Sequence, residues 1–148
     1  MSQPVPDALA SRLGYLLKHV QQRLVEAAGP VMAPFGIDGR ELAVLTVLAA
    51  HAPLSQQEAA EQLRVDRTTM VALVDTLEAK GLVERHRSAQ DRRKNTVVLT
   101  PAGRNCLGDA ATARDEVERE FLAPLGDTRS RQFVRALQIL ASEPDEAN

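Results

Sequence analysis

The chain has 148 residues, 44% of them hydrophobic, which suffices for one packed domain and disfavours a short peptide, a disordered tail and a multidomain enzyme. Its 18 Lys and Arg stand against 20 Asp and Glu, a net charge of −2, so any affinity for a polyanion has to be local. The lone Cys106 excludes an internal disulfide framework and a Cys-rich zinc module, and suits a reducing cytoplasm. No basic-then-apolar leader and no run near the roughly 18 apolar residues of a membrane span is present, so a soluble protein is expected. One Tyr, three Phe and no Trp argue against stacking platforms for single strands.

Residues 8 to 28 place Leu9, Leu13, Leu16, Leu17, Val20 and Leu24 at helical spacing, which predicts one long amphipathic helix. The run GPVMAPFGIDG, residues 29 to 39, is expected to end it, because Pro lacks an amide donor and Gly favours turns. A second helix, about Arg40 to Ala50, carries Leu42, Val44, Leu45, Val47 and Leu48 almost all round and is expected to be central. After a break at His51-Ala52-Pro53, Ser55 and Glu58 have capping-box spacing and open a short helix to Leu63. Arg64 and Val65 leave a tight turn before Asp66 opens a helix to about Lys80, ended by Gly81. Two helices so joined read as a helix-turn-helix.

Segments 82–85 and 95–99 have strand composition and flank a polar stretch, which predicts a hairpin with a charged tip. Thr100-Pro101 starts a helix through Cys106, Ala110, Val117 and Phe121 to Pro124. A last helix, about Thr128 to Ala141, sets Phe133, Val134, Leu137 and Leu140 on one stripe. The tail SEPDEAN is acidic and expected to fray. No internal repeat is visible.

In the helix from Asp66, the stripe Met70, Leu73, Val74 and Leu77 has to face the core, which leaves Arg67, Thr68, Val71, Ala72, Asp75 and Thr76 outward. Small and hydrogen-bonding side chains near an N-terminus suit base edges in a major groove: Arg67 for guanine, the Thr68 and Val71 methyls for thymine. An ordinary surface helix gives the same periodicity. Charge does not separate the two, since residues 55 to 80 hold three basic and five acidic side chains.

The hairpin tip adds a local charge signal. Residues 85 to 94 carry Arg85, Arg87, Arg92, Arg93 and Lys94 against Asp91 alone, a local +4, while the other 13 basic and 19 acidic residues leave −6. Such an excess suits phosphate, and a narrow ribbon can enter a minor groove. Asp91 could hold the Arg93 guanidinium and nearby amides in one pose. The bland reading is a turn former within a solvated, edge-protecting tip.

These residues resemble the MarR family of winged helix-turn-helix regulators over about residues 10 to 141. The stretch LSQQEAAEQLRVDRTTMVALVDTLEAKGLVERH is similar to the family's helix pair. DRRKNTVVLTPAGR is similar to its wing pattern, with Asp91, Arg93, Leu99, Thr100 and Gly103 at the matching positions. Ser88-Ala89-Gln90 departs from the usual Pro-containing turn, and Ala59 stands where a bulkier residue is usual.

The resemblance implies a mainly α fold with a small β-hairpin wing. A winged helix-turn-helix lobe at 38–100 would lie between dimerisation helices at 1–37 and 101–148, with the helix-turn-helix at about 55–80 and the wing at about 82–100. It implies a homodimer on palindromic double-stranded DNA, repression of its own and neighbouring genes, and release by a small-molecule effector in the cleft between arms and lobe. Arg67, Thr68, Val71, Ala72 and Thr76 would read the major groove; Arg93, oriented by Asp91, the minor groove. Arg85, Arg87, Arg92 and Lys94 in the wing, and Ser55, Gln56, Arg64 and Thr69 in the helix pair, are phosphate candidates. Independently, three amphipathic helices outside the lobe need cover that a two-fold dimer supplies.

His19, His51, His86 and Cys106 lack metal-ligand spacing, and no metal or cofactor is expected. Peroxide-sensing relatives carry a cysteine near the start of the first helix, where this chain has none; Cys106 reads as a packing residue. Tyr15 and His19, one helical turn apart, are effector-cleft candidates, with an interface edge as the plainer reading. No phosphate loop or nucleophile signature proposes an enzyme. A winged-helix module that docks an acidic protein is the competing class.

Overall fold

The computed structural model describes residues 4–142. Its helices and strands are α1 (Leu13–Met32), α2 (Gly39–His51), β1 (Leu54–Ser55), α3 (Gln56–Leu63), α4 (Arg67–Ala79), β2 (Val83–Arg87), β3 (Asn95–Leu99), α5 (Pro101–Leu122) and α6 (Asp127–Ala141). The fold is therefore mainly helical with a small antiparallel sheet, as the residue pattern implies. Residues 143–148 of the acidic tail, expected to fray, lie outside the described residues.

Four helix starts are set by side-chain caps, each worth about 1 kcal/mol. Asp38 Oδ1 accepts the Glu41 amide at 2.9 Å while Glu41 returns a bond to the Asp38 amide, a reciprocal box that fixes α2. Ser55 and Glu58 form the same box at α3. The Asp66 carboxylate takes the Thr69 amide at 3.2 Å, and the Thr100 hydroxyl takes the Gly103 amide at 3.0 Å.

The first helix departs from expectation at both ends. It begins at Leu13, after a short 3-10 turn at Asp7–Leu9, and it continues through Gly29-Pro30 to Met32. Proline removes one amide donor and crowds the preceding turn, yet Ala28 and Met32 are buried to 2% and 3% exposure, so tertiary packing outweighs the local penalty. The chain reverses only at Gly36, whose φ of 68° suits glycine.

The core gathers Val44, Leu45 and Leu48 of α2, Met70, Val74 and Leu77 of α4, and Val83, Val97 and Leu99 of the sheet, all buried. Each large aliphatic side chain removed from water contributes about 1.5–3 kcal/mol. Helix α2 is central but not enclosed all round: Thr46, Ala49 and Ala50 are exposed along one edge. Leu73 completes the α4 stripe only in part, being half-buried.

The sheet has the order β1-β3-β2, with Val83 opposite Leu99, Arg85 opposite Val97 and Arg87 opposite Asn95. The two-residue β1 is too short to carry a period and leaves no mark in the sequence pattern; it pairs Leu54 with Val97 and anchors the start of α3 to the wing. Helix α5 packs along α1, with Ala110 and Val117 buried and Arg23 over the Phe121 ring at 5.9 Å. Helix α6 has no buried residue, and Phe133, Val134, Leu137, Ile139 and Leu140 are 36–73% exposed. Leu13 and Leu17 on α1 are likewise uncovered, at 65% and 45%.

Candidate nucleic-acid interface

The α3–α4 turn is made by Arg64, which caps α3 in the left-handed region at φ 53°. Its amide and that of Val65 reach back to the Glu61 and Ala60 carbonyls, closing the helix in the manner of a C-terminal capping motif. Burial of Met70, Val74 and Leu77 then fixes the rotation of α4, which leaves Arg67, Thr68, Ala72 and Thr76 exposed and Val71 half-exposed on the outer face. Two candidate hydroxyls are already engaged: Thr76 donates to the Ala72 carbonyl at 3.0 Å, and Thr69 donates to the Asp66 carboxylate. Thr69 thus serves the cap first, and the Ser55 hydroxyl likewise serves its own cap, accepting the Glu58 amide at 3.1 Å.

Both cap acids are held below the usual carboxylate range. For Asp66 the leading cause is the Thr69 hydroxyl, followed by the Thr69 amide. For Glu58 it is the hydrogen bonds at Ser55, with a smaller pull from Lys94 across the wing base.

The wing tip is ordered by short local bonds. Ser88 N–H donates to the Lys94 carbonyl at 2.9 Å, and the Lys94 amide donates to the Asp91 carbonyl at 3.0 Å. The Ser88 hydroxyl accepts the Gln90 and Asp91 amides at 3.2 and 3.3 Å, which fixes the turn without a proline. Asp91 Oδ1 accepts the Arg93 backbone amide at 3.0 Å. Of the bonds expected of Asp91, the one to a local amide is formed, and the ion pair with the Arg93 guanidinium is not formed among the described residues. Arg87, Arg92, Arg93 and Lys94 project from this tip, all exposed.

Arg85 differs from its neighbours. Its guanidinium donates to Asp75 Oδ1 at 2.6 Å, to Glu78 Oε1 at 2.9 Å and to Gln56 Oε1 at 2.9 Å, with only 19% of the side chain exposed. The register opposite Val97 turns it across the helix pair rather than outward.

Behind α4 lies a cleft of about 650 Å³ whose lining includes Val25, Met32, Ile37, Leu63 and Leu73, with Asp38, Arg40 and Arg114 as polar members. Tyr15 and His19 are not in that lining: the cleft runs beside the C-terminal part of α1, from Gln21 onward, and the two rings instead stack on each other at 5.8 Å nearer the helix start. The sequence also hides a clasp beside the cleft. Lys80 Nζ lies 2.6 Å from Glu41 Oε2 and 2.6 Å from the Gly36 carbonyl oxygen, tying the end of α4 to the cleft rim. Cys106 is half-buried with Sγ 3.8 Å from the Phe35 carbonyl oxygen, and burial pushes its thiol pKa up, away from thiolate chemistry. Among the described residues no group of three or more His, Cys, Asp or Glu is placed to hold a metal ion, and no helix is long and apolar enough to cross a membrane.

Comparison with known proteins places this geometry. The MarR family model matches residues 35–94. A protein of Thauera aromatica put forward as the transcriptional regulatory protein for the hcr operon is 29% identical over 147 residues, 99% of this chain and 89% of that protein. The transcriptional repressor CouR, solved on a 23-mer DNA duplex, is 32% identical with a TM-score of 0.88 over 95% of this chain and all of that one. CouR from Rhodococcus jostii RHA1, solved with p-coumaroyl-CoA, is 29% identical with a TM-score of 0.82 over 96% of this chain and all of that one.

Proposed function

The chain belongs to the MarR family of transcription regulators, and on that ground we propose that it acts as a homodimeric, sequence-specific binder of double-stranded DNA. It represses its own and neighbouring genes and is released by a small molecule. One observation carries the reading: four exposed cations, Arg87, Arg92, Arg93 and Lys94, are presented by an ordered wing on the lobe whose α4 exposes Arg67, Thr68 and Ala72. Helix α4 enters a major groove and the wing reaches the flanking minor groove, with Arg93 inserted.

The uncovered stripes of α1 and α6 form the dimer interface, which repeats the reading unit about one helical turn away, roughly 34–36 Å. The effector enters the cleft behind α4, as supported by its location against Leu63 and Leu73 of the helix pair. The similar repressor CouR, solved both on DNA and with a small molecule, supports the pairing of duplex binding with small-molecule binding. No catalytic role is assigned to any residue.

The test is binding to duplexes selected from a random pool, followed by fluorescence anisotropy across a salt series. A specific duplex should be recovered, with affinity falling steeply as salt rises; Arg93→Ala, which removes one cation from each lobe of the dimer, should lower the magnitude of the slope by about 2. Failure to bind any duplex at low salt would leave a protein-docking module as the better reading.

A further inference from the structure

We propose that Arg85 is a positioning residue for DNA reading, not a phosphate contact: it locks the wing to both helices of the reading pair and turns the Gln56 carboxamide nitrogen outward toward the duplex. The proposal rests on the DNA-binding function argued above and assigns a specific role within it.

The geometry is that of a hub. Arg85 lies on β2, Gln56 at the first position of α3, and Asp75 and Glu78 on successive turns of α4. Nε and Nη2 both reach Gln56 Oε1, at 3.3 and 2.9 Å, Nη2 also reaches Asp75, and Nη1 reaches Glu78. The Arg85 backbone amide adds a bond to Glu78 Oε2 at 3.2 Å. One exposed ion pair contributes little. Here, however, one planar group fixes three elements at once, which a point-like ammonium cannot do.

Two consequences follow from donor and acceptor chemistry. A guanidinium only donates, so the Gln56 group facing it has to be the carbonyl oxygen, and the NH₂ end points the other way with two protons to give. Asp75 is 62% exposed on the outer face of α4, and Glu78 44%, so both would oppose an approaching phosphate unless a cation held them. Arg85 offsets half of this charge while spending its own donors inside the protein. The wing's phosphate-binding charge is therefore carried by Arg87, Arg92, Arg93 and Lys94.

The experiment uses the full chain and a duplex recovered by selection, with affinity and salt slope measured for wild type, Arg85→Lys, Arg85→Gln, Gln56→Ala and Arg85→Lys/Gln56→Ala. Circular dichroism and thermal melting establish folding. A hub predicts that Arg85→Lys and Arg85→Gln both lose about tenfold in affinity, since the bonds to charged partners and not the charge alone are needed. Gln56→Ala should cost about threefold in the wild type and nothing further beside Arg85→Lys, the signature of coupled residues. Wild-type affinity in Arg85→Lys, with Arg85→Gln losing about two units of salt slope, one for each lobe, would make Arg85 a phosphate contact and overturn the proposal. So would a Gln56→Ala variant that binds as wild type. A wild-type chain that binds no duplex would instead defeat the DNA-binding function itself.

Discussion

Gly103 lies so close to Leu82 that a β-carbon on the glycine would stand 2.0 Å from the Leu82 carbonyl oxygen. The same carbonyl accepts the Thr100 amide at 3.1 Å, and the Thr100 hydroxyl both donates to the Gly81 carbonyl and caps α5 through the Gly103 amide. The start of α5 is thereby pinned to the base of the wing. Because the obstacle is main chain, it cannot rotate aside. Gly103→Ala should cost about 3 kcal/mol, read as a lower urea midpoint at unchanged slope. An unchanged midpoint would mean that α5 shifts freely on the sheet.

Much of this arrangement is legible before any coordinates. Capping boxes, the α4 stripe and the strand pair are local signals whose partners lie within a few residues, so Ser55, Asp66 and Thr100 announce their helices. Signals fail where distant packing decides: Pro30 inside α1 is tolerated because of what Ala28 and Met32 touch, and no spacing reveals that. The charge cluster marks the wing, but composition cannot distinguish Arg93, which projects, from Arg85, which folds back on Asp75 and Glu78. The Lys80–Glu41 clasp spans 39 residues and carries no local trace.

The role of Asp91 can be read from a pair of substitutions. Its carboxylate accepts a backbone amide, a task that a carboxamide oxygen performs as well. Asp91→Asn should keep duplex affinity within about twofold, whereas Asp91→Ala should lose about fivefold as the Arg93 amide is freed and the tip loosens. Equal losses in both, measured by anisotropy, would show that the negative charge itself matters.

Acid should weaken the helix pair through its caps. Asp66 is held below its ordinary value of 3.8 by Thr69, and Glu58 below 4.5 by Ser55, so in each case the folded state favours the carboxylate. This stabilisation is complete above the unfolded values and disappears as pH falls through the lowered folded ones. Between pH 7 and 5 these caps should contribute no pH dependence; below about 4 their contribution should decline. Asp66→Asn removes one titrating cap, so its stability difference from wild type should shrink on acidification, as checked by urea melts at a series of pH values.

Lys80 should matter more than its surface position suggests. Its partner Glu41 has a side chain only 8% exposed, while that of Lys80 is 36% exposed, so removing the cation strands a buried carboxylate. Discounted for solvent at the lysine, Lys80→Met should cost about 1–3 kcal/mol. Lys80→Met/Glu41→Gln should recover much of this, since the neutral amide can still accept the Asp38 N–H. Chemical denaturation of the two variants checks it; equal destabilisation would mean that the lysine stem, not its charge, is what packs.

The uncovered stripes allow the proposed dimer to be tested without disturbing the winged lobe. Leu137 and Leu140 are 36% and 73% exposed, and no α6 residue is buried, so charge placed there opens no core cavity. A stable interface needs roughly 1,000 Å² of buried surface with a dry apolar centre, and a carboxylate inside that centre is costly to desolvate. Leu137→Glu/Leu140→Glu should therefore sediment as a single chain with its helices retained by circular dichroism. Each lobe would keep its intrinsic contacts but lose the high effective concentration that tethers the second to its half-site. Duplex affinity should then fall by about 100-fold or more, with a smaller salt slope because half the cations are engaged. A variant that still sediments as a dimer would move the interface away from α6. One that is monomeric yet binds as tightly as wild type would show that a single lobe suffices.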